Sequence, residues 1–438
     1  MKTRLARRPW TLLGALALAP LALAVCKDKG ETTPPESTQQ YEAVEATCEY
    51  VILIEGARGE TRAYAYALEG RETGVPASAK LLASKTSATG LETLTKKPDA
   101  AVDVLSQIME GDDGALAAVP EDCHETTPVT VMATAGMRRV AAKDGEDAGK
   151  SMYEALTAYL ESKFLDVRAV GTLSGDEQAL FSWISVNYAL GSLSGETQTS
   201  AALELNDETL QVAFVPDEPE ASDTEPVLFG GREHMVYRKS FLGYGARAAR
   251  EAHASKACYP KGLEGGKGSY ETCRKELDKL LTPDTCERVK CSAAKPDSRD
   301  GAYQPGLPEG RTFYAFGEFA DARAQLSLAE DATLGDFASA GERFCGTPWA
   351  ELSAPPAAPA EGSSEGSSEG EAEGAAAPDP KQLEPVCFES AWIPAFIQQL
   401  GFKPDAREIR WLAQFGDTTD LPASWILGAA VCLASECR

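Results

Sequence analysis

The sequence predicts an α/β protein of two similar lobes, and three observations predict it. The first is a strand–turn–strand unit: residues 50–54 (YVILI) are continuously apolar, EGARGET turns the chain, and residues 62–68 (RAYAYAL) alternate as a second strand. The second is a like unit about 150 residues further on: SAALEL at 200–205, then NDET, then LQVAFV at 210–215. An acid stands at the end of the first strand of each, Glu55 and Glu204. The third is helical periodicity, with apolar residues returning at three- and four-residue spacing over 150–163, 177–190, 243–256, 270–281 and 388–400. Strands interleaved with helices give the class, and the doubled hairpin gives two lobes.

Before the first hairpin lie two segments outside the fold. Residues 1–25 read as a signal peptide: Lys2, Arg4, Arg7 and Arg8 form a basic start, and a Leu/Ala-rich stretch runs to Val25. It ends Leu23-Ala24-Val25-Cys26, close to a bacterial lipobox. Cys26 is therefore expected to carry lipid, which would place the protein in the bacterial cell envelope, exported and anchored to a membrane on its periplasmic or surface side. Residues 26–44 are polar and contain proline, as a flexible tether does. Residues 216–226 (PDEPEASDTEP) form an acidic, proline-rich loop. Residues 354–380, centred on GSSEGSSEGEAEG, are expected to be a disordered insert. The insert sits between Cys345 and Cys387, so a disulfide there would hold its ends together and it need not divide domains.

Composition excludes some functions. Lys+Arg number 42 against 67 Asp+Glu, for a net charge of -25. Nucleic acid is thus not expected as a partner, because a phosphate backbone calls for a basic footprint. An anionic ligand must be held by a local pocket working against the overall field. Of eleven cysteines, ten remain once Cys26 is set aside, an even number that suits five disulfides in an exported chain. With three histidines and no CxxC spacing, zinc is not expected. Two nucleotide-like strings fail on their context. Gly262–Ser269 has Lys261 where a Walker A loop begins with glycine, and Gly243-Tyr244-Gly245-Ala246-Arg247-Ala248 follows no clear βαβ strand.

The most informative stretch is Thr127-Pro128-Val129-Thr130-Val131-Met132-Ala133-Thr134-Ala135-Gly136-Met137-Arg138. It resembles the second signature region of the apyrases, the ecto-nucleoside triphosphate diphosphohydrolases. The resemblance extends in order over roughly 48–431. Gly175 to Tyr188 (GDEQALFSWISVNY) looks like the third region, Ser240–Gly245 (SFLGYG) like the family's SYLGYG, and Cys258–Gly262 (CYPKG) like its CLPKG. GAYQP at 301–305 and FYAF at 313–316 look like its GVYQP and FYAF, and Ser424–Ala430 (SWILGAA) like its fifth region.

The resemblance implies an actin-like architecture of two ribonuclease-H-like lobes, here 45–174 plus 420–438 and 175–419, with a site in the cleft between them. It implies Ca or Mg as cofactor, nucleoside tri- and diphosphates as ligands, a glutamate of the third region as base, and two Gly/Ser-rich turns that cradle phosphate. It also implies a Cys345–Cys387 bridge. Cys258, Cys273, Cys286 and Cys291 would pair among themselves in a connectivity left open, leaving Cys48–Cys123 and Cys432–Cys437.

This sequence departs from the pattern at the chemistry. The family's DAGSSGTR becomes Glu55-Gly56-Ala57-Arg58-Gly59-Glu60-Thr61-Arg62, and its DLGGASTQ becomes Glu204-Leu205-Asn206-Asp207-Glu208-Thr209-Leu210-Gln211. The two acids that would hold a metal through water stay, as Glu55 and Glu204. The phosphate-facing positions become Arg58, Gly59 and Thr61 in the first turn and Asn206, Thr209 and Gln211 in the second, with Thr134, Ala135 and Gly136 from the second region. Glycines let backbone N–H groups curve around an anion. A carboxylate about 5 Å from a phosphate charge costs about 3 kcal/mol at an effective dielectric near 20, so Glu60, Asp207 and Glu208 oppose phosphate if they point inward. Arg58 is either a compensating phosphate ligand or a surface residue. The base position, five residues before Trp183, is Gln178. Glu177 is the neighbouring substitute, but adjacent helical side chains point about 100° apart.

Two functions follow as alternatives. One is an exported lipoprotein that has lost most hydrolysis and serves to bind a ligand or an unidentified protein partner. The other is an active, metal-dependent hydrolase rewired to use Glu177.

Overall fold

The computed structural model describes residues 48–70, 74–193, 197–218, 224–229, 231–281, 306–354, 379–415, 423–435 and 437. The 1–25 leader, Cys26, the 26–44 tether, Cys286, Cys291, the GAYQP string and most of the 354–380 insert lie outside these residues.

The first hairpin forms where continuous and alternating apolar residues place it. Strands β1 (Tyr50–Ala57) and β2 (Glu60–Glu69) pair antiparallel, with Glu55 opposite Arg62. Gly59 turns the chain at φ +82°, a left-handed conformation that glycine adopts without strain. Strand β3 (Ser78–Ser87) extends the sheet beyond β2. After helix α1 (Pro98–Met109), strand β4 (Pro128–Ala133) joins β1 in parallel. Helices α2 (Ala135–Asp144) and α3 (Lys150–Glu161) follow, and β5 (Asp166–Thr172) joins β4 in parallel. The order is β3-β2-β1-β4-β5. Period-two alternation sends Ile52 and Ile54 to a core with α1 and α3, and Val51 and Leu53 to the opposite face.

A second sheet repeats this plan. After helix α4 (Gly175–Ala189) come β6 (Ala201–Leu205), β7 (Thr209–Phe214), β8 (Thr224–Phe229) and β9 (Arg232–Leu242). Helices α5 (Ala246–His253) and α6 (Tyr270–Leu280), strand β10 (Phe313–Gly317), helices α7 (Glu318–Gln325), α8 (Leu334–Gly346) and α9 (Val386–Gln399), strand β11 (Ile409–Trp411) and helix α10 (Trp425–Ser435) complete it. The order is β11-β10-β6-β7-β9-β8. With β8 set aside as an added edge, both sheets read third–second–first–fourth–fifth, the first three strands antiparallel and the rest parallel. The helix expected over 243–256 is shorter than its periodicity suggested. Gly243 at φ +91° breaks the backbone, and Gly245 is the extended residue from which α5 starts.

Helices α4 and α10 lie between the sheets and share one core with both of them. Val51 and Leu53 of β1, Ala202 of β6, Phe316 of β10, Trp183 and Ile184 of α4, and Ile426 and Val431 of α10 all belong to it. Asn187 is buried and ties α4 to the start of β6: its Nδ2 donates to Trp183 O at 2.9 Å and Ser200 O at 3.0 Å, and its Oδ1 accepts from Ser200 N at 2.8 Å. Disulfides join Cys48 to Cys123, Cys258 to Cys273, Cys345 to Cys387 and Cys432 to Cys437.

The two central helices touch through a glycine. A Cβ on Gly428 would lie 1.9 Å from Phe181 O and 2.8 Å from Ser185 N, both backbone atoms of α4. Backbone has no rotamer to yield, so Gly428→Ala must separate the helices. We expect it to destabilise the fold by about 1–3 kcal/mol or more, read as a lower denaturation midpoint; an unchanged midpoint would remove this contact from the account.

Candidate functional site

The two hairpins aim their turns at one cleft of about 340 Å3. Its lining joins Glu55, Arg58 and Arg62 of the first hairpin, Glu204, Asn206 and Thr209 of the second, Thr134 and Ala135 at the start of α2, Gln178 of α4, and Trp425 of α10. Acids crowd it: Glu55, Glu60, Glu204, Asp207, Glu208, Glu318 and Asp321 line the same space as Arg58 and Arg62.

Glu55 and Glu204 sit at equivalent ends of β1 and β6, both buried. Tyr64 donates its hydroxyl to Glu55 Oε2 at 3.1 Å, and Arg62 approaches the same oxygen at 3.9 Å. Burial raises the Glu55 carboxyl, against the pull of Arg62 and Tyr64 toward the charged form. Glu204 has no such cation, so burial, with Glu55 nearby, pushes it up to about 8. Its partner is Ser182, whose Oγ lies 2.5 Å from Glu204 Oε2 and 3.0 Å from Gln178 O. A hydroxyl has one proton to give. Ser182 can give that proton to the Glu204 carboxyl or to the Gln178 carbonyl, and its bond to Glu204 favours the charged form against burial.

The start of α4 separates the two candidates for a base. Glu177 is exposed and closes a capping box: its carboxylate accepts from Ser174 N at 3.0 Å, while its own N–H donates to Ser174 Oγ at 3.1 Å. It is not among the residues that line the cleft. Gln178 is buried and does line it. Its Oε1 accepts from Arg138 Nη2 at 3.1 Å, and Arg138 also donates to Leu173 O at 2.8 Å. Burial pulls the Arg138 guanidinium down to about 10, still charged at neutral pH.

Carboxylates and guanidiniums replace open amides in both turns. Arg58 pairs with Glu208, which also pairs with Arg139, and Arg58 contacts Glu251 at 3.1 Å. Asp207 pairs with Arg247 at 2.8 Å. The Gly59 N–H donates to Glu92 Oε1 at 2.9 Å, so a side-chain anion already takes that amide. Arg58 is therefore neither a bare surface residue nor a free phosphate ligand. Thr134 donates its hydroxyl to Gly56 O at 3.2 Å, fixing the turn after β4. Asn206 and Thr209 are linked through Gln211, which receives from Asn206 Nδ2 at 3.4 Å and donates to Thr209 Oγ1 at 2.6 Å. Gln211 itself is buried outside the lining, as is Thr61, whose hydroxyl donates to Thr89 O at 2.7 Å. Gly59 and Gly136 are also absent from the lining, although a Cβ on Gly136 would meet the Glu92 carboxyl carbon at 3.4 Å.

Sequence reasoning missed Glu92, Arg139, Glu318 and Asp321. The last two open α7 directly after the FYAF strand, a position the topology brings to the cleft. Burial, with Asp207 nearby, pushes Glu318 up to about 7. Among the described residues no group of three His, Cys, Asp or Glu is placed to hold an ion directly. Glu55 and Glu204, the acids that the resemblance assigns to a metal held through water, both line the cleft.

Comparison with known proteins places this geometry. A profile of the GDA1/CD39 (nucleoside phosphatase) family matches residues 42–262 and 259–438. A mouse (Mus musculus) protein, ectonucleoside triphosphate diphosphohydrolase 3, is 28% identical over 294 residues, 54% of this chain and 54% of that protein, so the chain spans about half its length. Probable apyrase 6 of Arabidopsis thaliana is 27% identical over 434 residues, 87% of this chain and 72% of that protein. Among solved structures, one titled as nucleoside triphosphate hydrolases from Neospora caninum superposes with a TM-score of 0.56 over 88% of this chain and 92% of that one, at 12% identity. The likeness supports the fold, which is the actin-like one.

The proton on Glu204 makes stability depend on pH. An ordinary glutamate titrates near 4.5, whereas folded Glu204 titrates near 8. Between these values the folded state holds a proton that the unfolded chain has released. Stability therefore falls as pH rises through that window, by up to about 1.4 kcal/mol per pH unit. Glu204→Gln keeps the shape without the charge and should flatten the slope in urea denaturation from pH 5 to 8. An equal slope in both proteins would assign the proton elsewhere.

Proposed function

This chain belongs to the GDA1/CD39 (nucleoside phosphatase) family, and we propose that it keeps the family's cleft as a ligand site while hydrolysis of nucleoside tri- and diphosphates is lost or strongly reduced. Gln178 carries this reading. It fills the base position, faces the cleft and spends its carbonyl on Arg138. Hydrolysis of a phosphoanhydride needs a group that takes a proton from water as it attacks. A neutral amide does not take one near pH 7, and losing a general base slows a reaction by about 10²–10⁴-fold. Glu177 is engaged in its capping box and is not among the residues lining the cleft.

Two further observations support the reading. Glu208 puts negative charge on Arg58 at the cleft and on Arg139, and Glu92 takes the Gly59 amide of the first turn. Burial pushes the Glu204 carboxyl up to about 8, where the resemblance implies an ionised acid. In the proposed role the protein is exported, held at a bacterial envelope membrane by lipid on Cys26, and presents the cleft to a nucleoside tri- or diphosphate or to a protein partner. Ca or Mg belongs to the alternative reading, in which the protein turns over.

Phosphate release decides between them. ATP, ADP, GTP, GDP and UDP are offered with Ca or Mg, each beside an EDTA control, to the protein and to Gln178→Glu. We expect background release from the protein and an increase of at least about tenfold in Gln178→Glu, toward the lower end of what a general base contributes. Metal-dependent turnover by the unaltered protein above about 1 s⁻¹, an ordinary enzyme rate, would overturn the reading.

A further inference from the structure

We propose that Arg58 and Arg139 form an anion site of this chain's own, and that the Glu208 carboxylate is its built-in occupant. The site would take a terminal phosphoryl group of a polyphosphate once Glu208 is displaced. The inference rests on reading the cleft as one for phosphate-bearing ligands, and it adds what now fills that cleft.

The arrangement is specific. Arg58 comes from the β1–β2 turn and Arg139 from α2, both in the first lobe, while Glu208 comes from the β6–β7 turn of the second. Its side chain is only 3% exposed, and its two oxygens are divided between the two guanidiniums, Oε1 to Arg58 and Oε2 to Arg139. A phosphoryl group offers guanidinium the same charge-assisted acceptors as a carboxylate. Arg139 is otherwise half-exposed, and Glu251, the other acid on Arg58, is exposed. Glu208 is thus the buried member that draws both arginines to one point.

The turn beneath Glu208 is rigid, so movement falls to the side chain. Glu208 O accepts from Gly243 N at 2.8 Å, Asp207 O from Ala248 N at 2.9 Å, and Asn206 O from Ala246 N at 2.9 Å. A Cβ on Gly245 would lie 2.3 Å from Glu208 backbone atoms, which leaves the turn no room to settle. Rotation of the Glu208 side chain is enough to expose the arginines. The same movement breaks a bridge between the lobes, so an anion that wins the site replaces an interlobe contact with itself.

The test reads binding, not turnover. Inorganic tripolyphosphate, without nucleoside or metal, is titrated calorimetrically into the protein, Glu208→Gln, Glu208→Ala and the double variant Arg58→Ala/Glu208→Ala. We expect at least about tenfold tighter binding to both Glu208 variants than to the unaltered protein, a difference of 1.4 kcal/mol or more, and loss of that gain in the double variant. Glu208→Gln keeps the side-chain volume, so it reports even if Glu208→Ala unfolds. Equal affinity of the unaltered protein and Glu208→Gln would overturn the proposal, as would a gain that survives removal of Arg58. Tripolyphosphate binding does not involve Gln178, so this result stands or falls apart from the phosphate-release assay.

Discussion

The close approach of α10 to α4 is the constraint on which the cleft depends. Gly428 lets the C-terminal helix rest directly on the Phe181–Ser185 backbone, and Ser185 then donates to Ser424 O at 2.6 Å. That contact fixes the roll of α4 between two sheets. With α4 in place, Ser182 meets Glu204 from the second sheet and Gln178 enters the cleft. Trp425, at the start of α10, lines the cleft together with Glu55 and Glu204. Two acids about 150 residues apart in sequence become neighbours because one helix pair holds both lobes to a common core.

Bringing those acids together in a buried place has an electrostatic consequence. Like charges in a low dielectric cannot both be kept without compensation. Arg62, which also pairs with Glu60, and Tyr64 stand beside Glu55 and not Glu204, so Glu55 is the better placed to ionise while burial raises the Glu204 carboxyl further. The same logic runs through the turns, where each exposed cation has been given an internal anion: Glu208 for Arg58 and Arg139, Asp207 for Arg247. The cleft is satisfied without a ligand. A phosphate-binding site normally keeps its donors open, and here few are open.

Much of this was legible in the sequence, for physical reasons that differ by element. The hairpins showed because burial on both faces of β1 and alternation along β2 leave a period that no helix shares. The helices over 150–163 and 270–281 showed by their apolar stripes, whereas 243–256 misled because Gly243 and Gly245 interrupt a stripe that continues in sequence. Gln178 was placed by the resemblance, whose glutamate lies five residues before the tryptophan that is Trp183 here. Glu177 could not be dismissed on spacing alone. Its capping role depends on where the helix begins, and Ser174 three residues earlier was the available signal. Glu92 and Arg139 were illegible, because each acts on the cleft through a long-range pairing that no local pattern encodes.

The departures in the three altered regions are best understood together. A glutamate at position 178 would stand beside Arg138, and that pairing would favour its ionised form while weakening it as a base. Gln178 instead takes one Arg138 hydrogen bond without charge, and burial can then lower the Arg138 guanidinium. Meanwhile Glu208 supplies negative charge on the other side, attracting Arg138 at longer range as well as pairing Arg139. Restoring an acid at 178 adds negative charge to a cleft whose arginines are already matched. Removing Glu208 instead leaves two arginines short of a partner. The lost base and the added carboxylate are therefore coupled through the arginines that face them, and a cleft built this way gains more for an incoming anion from losing Glu208 than from regaining the base.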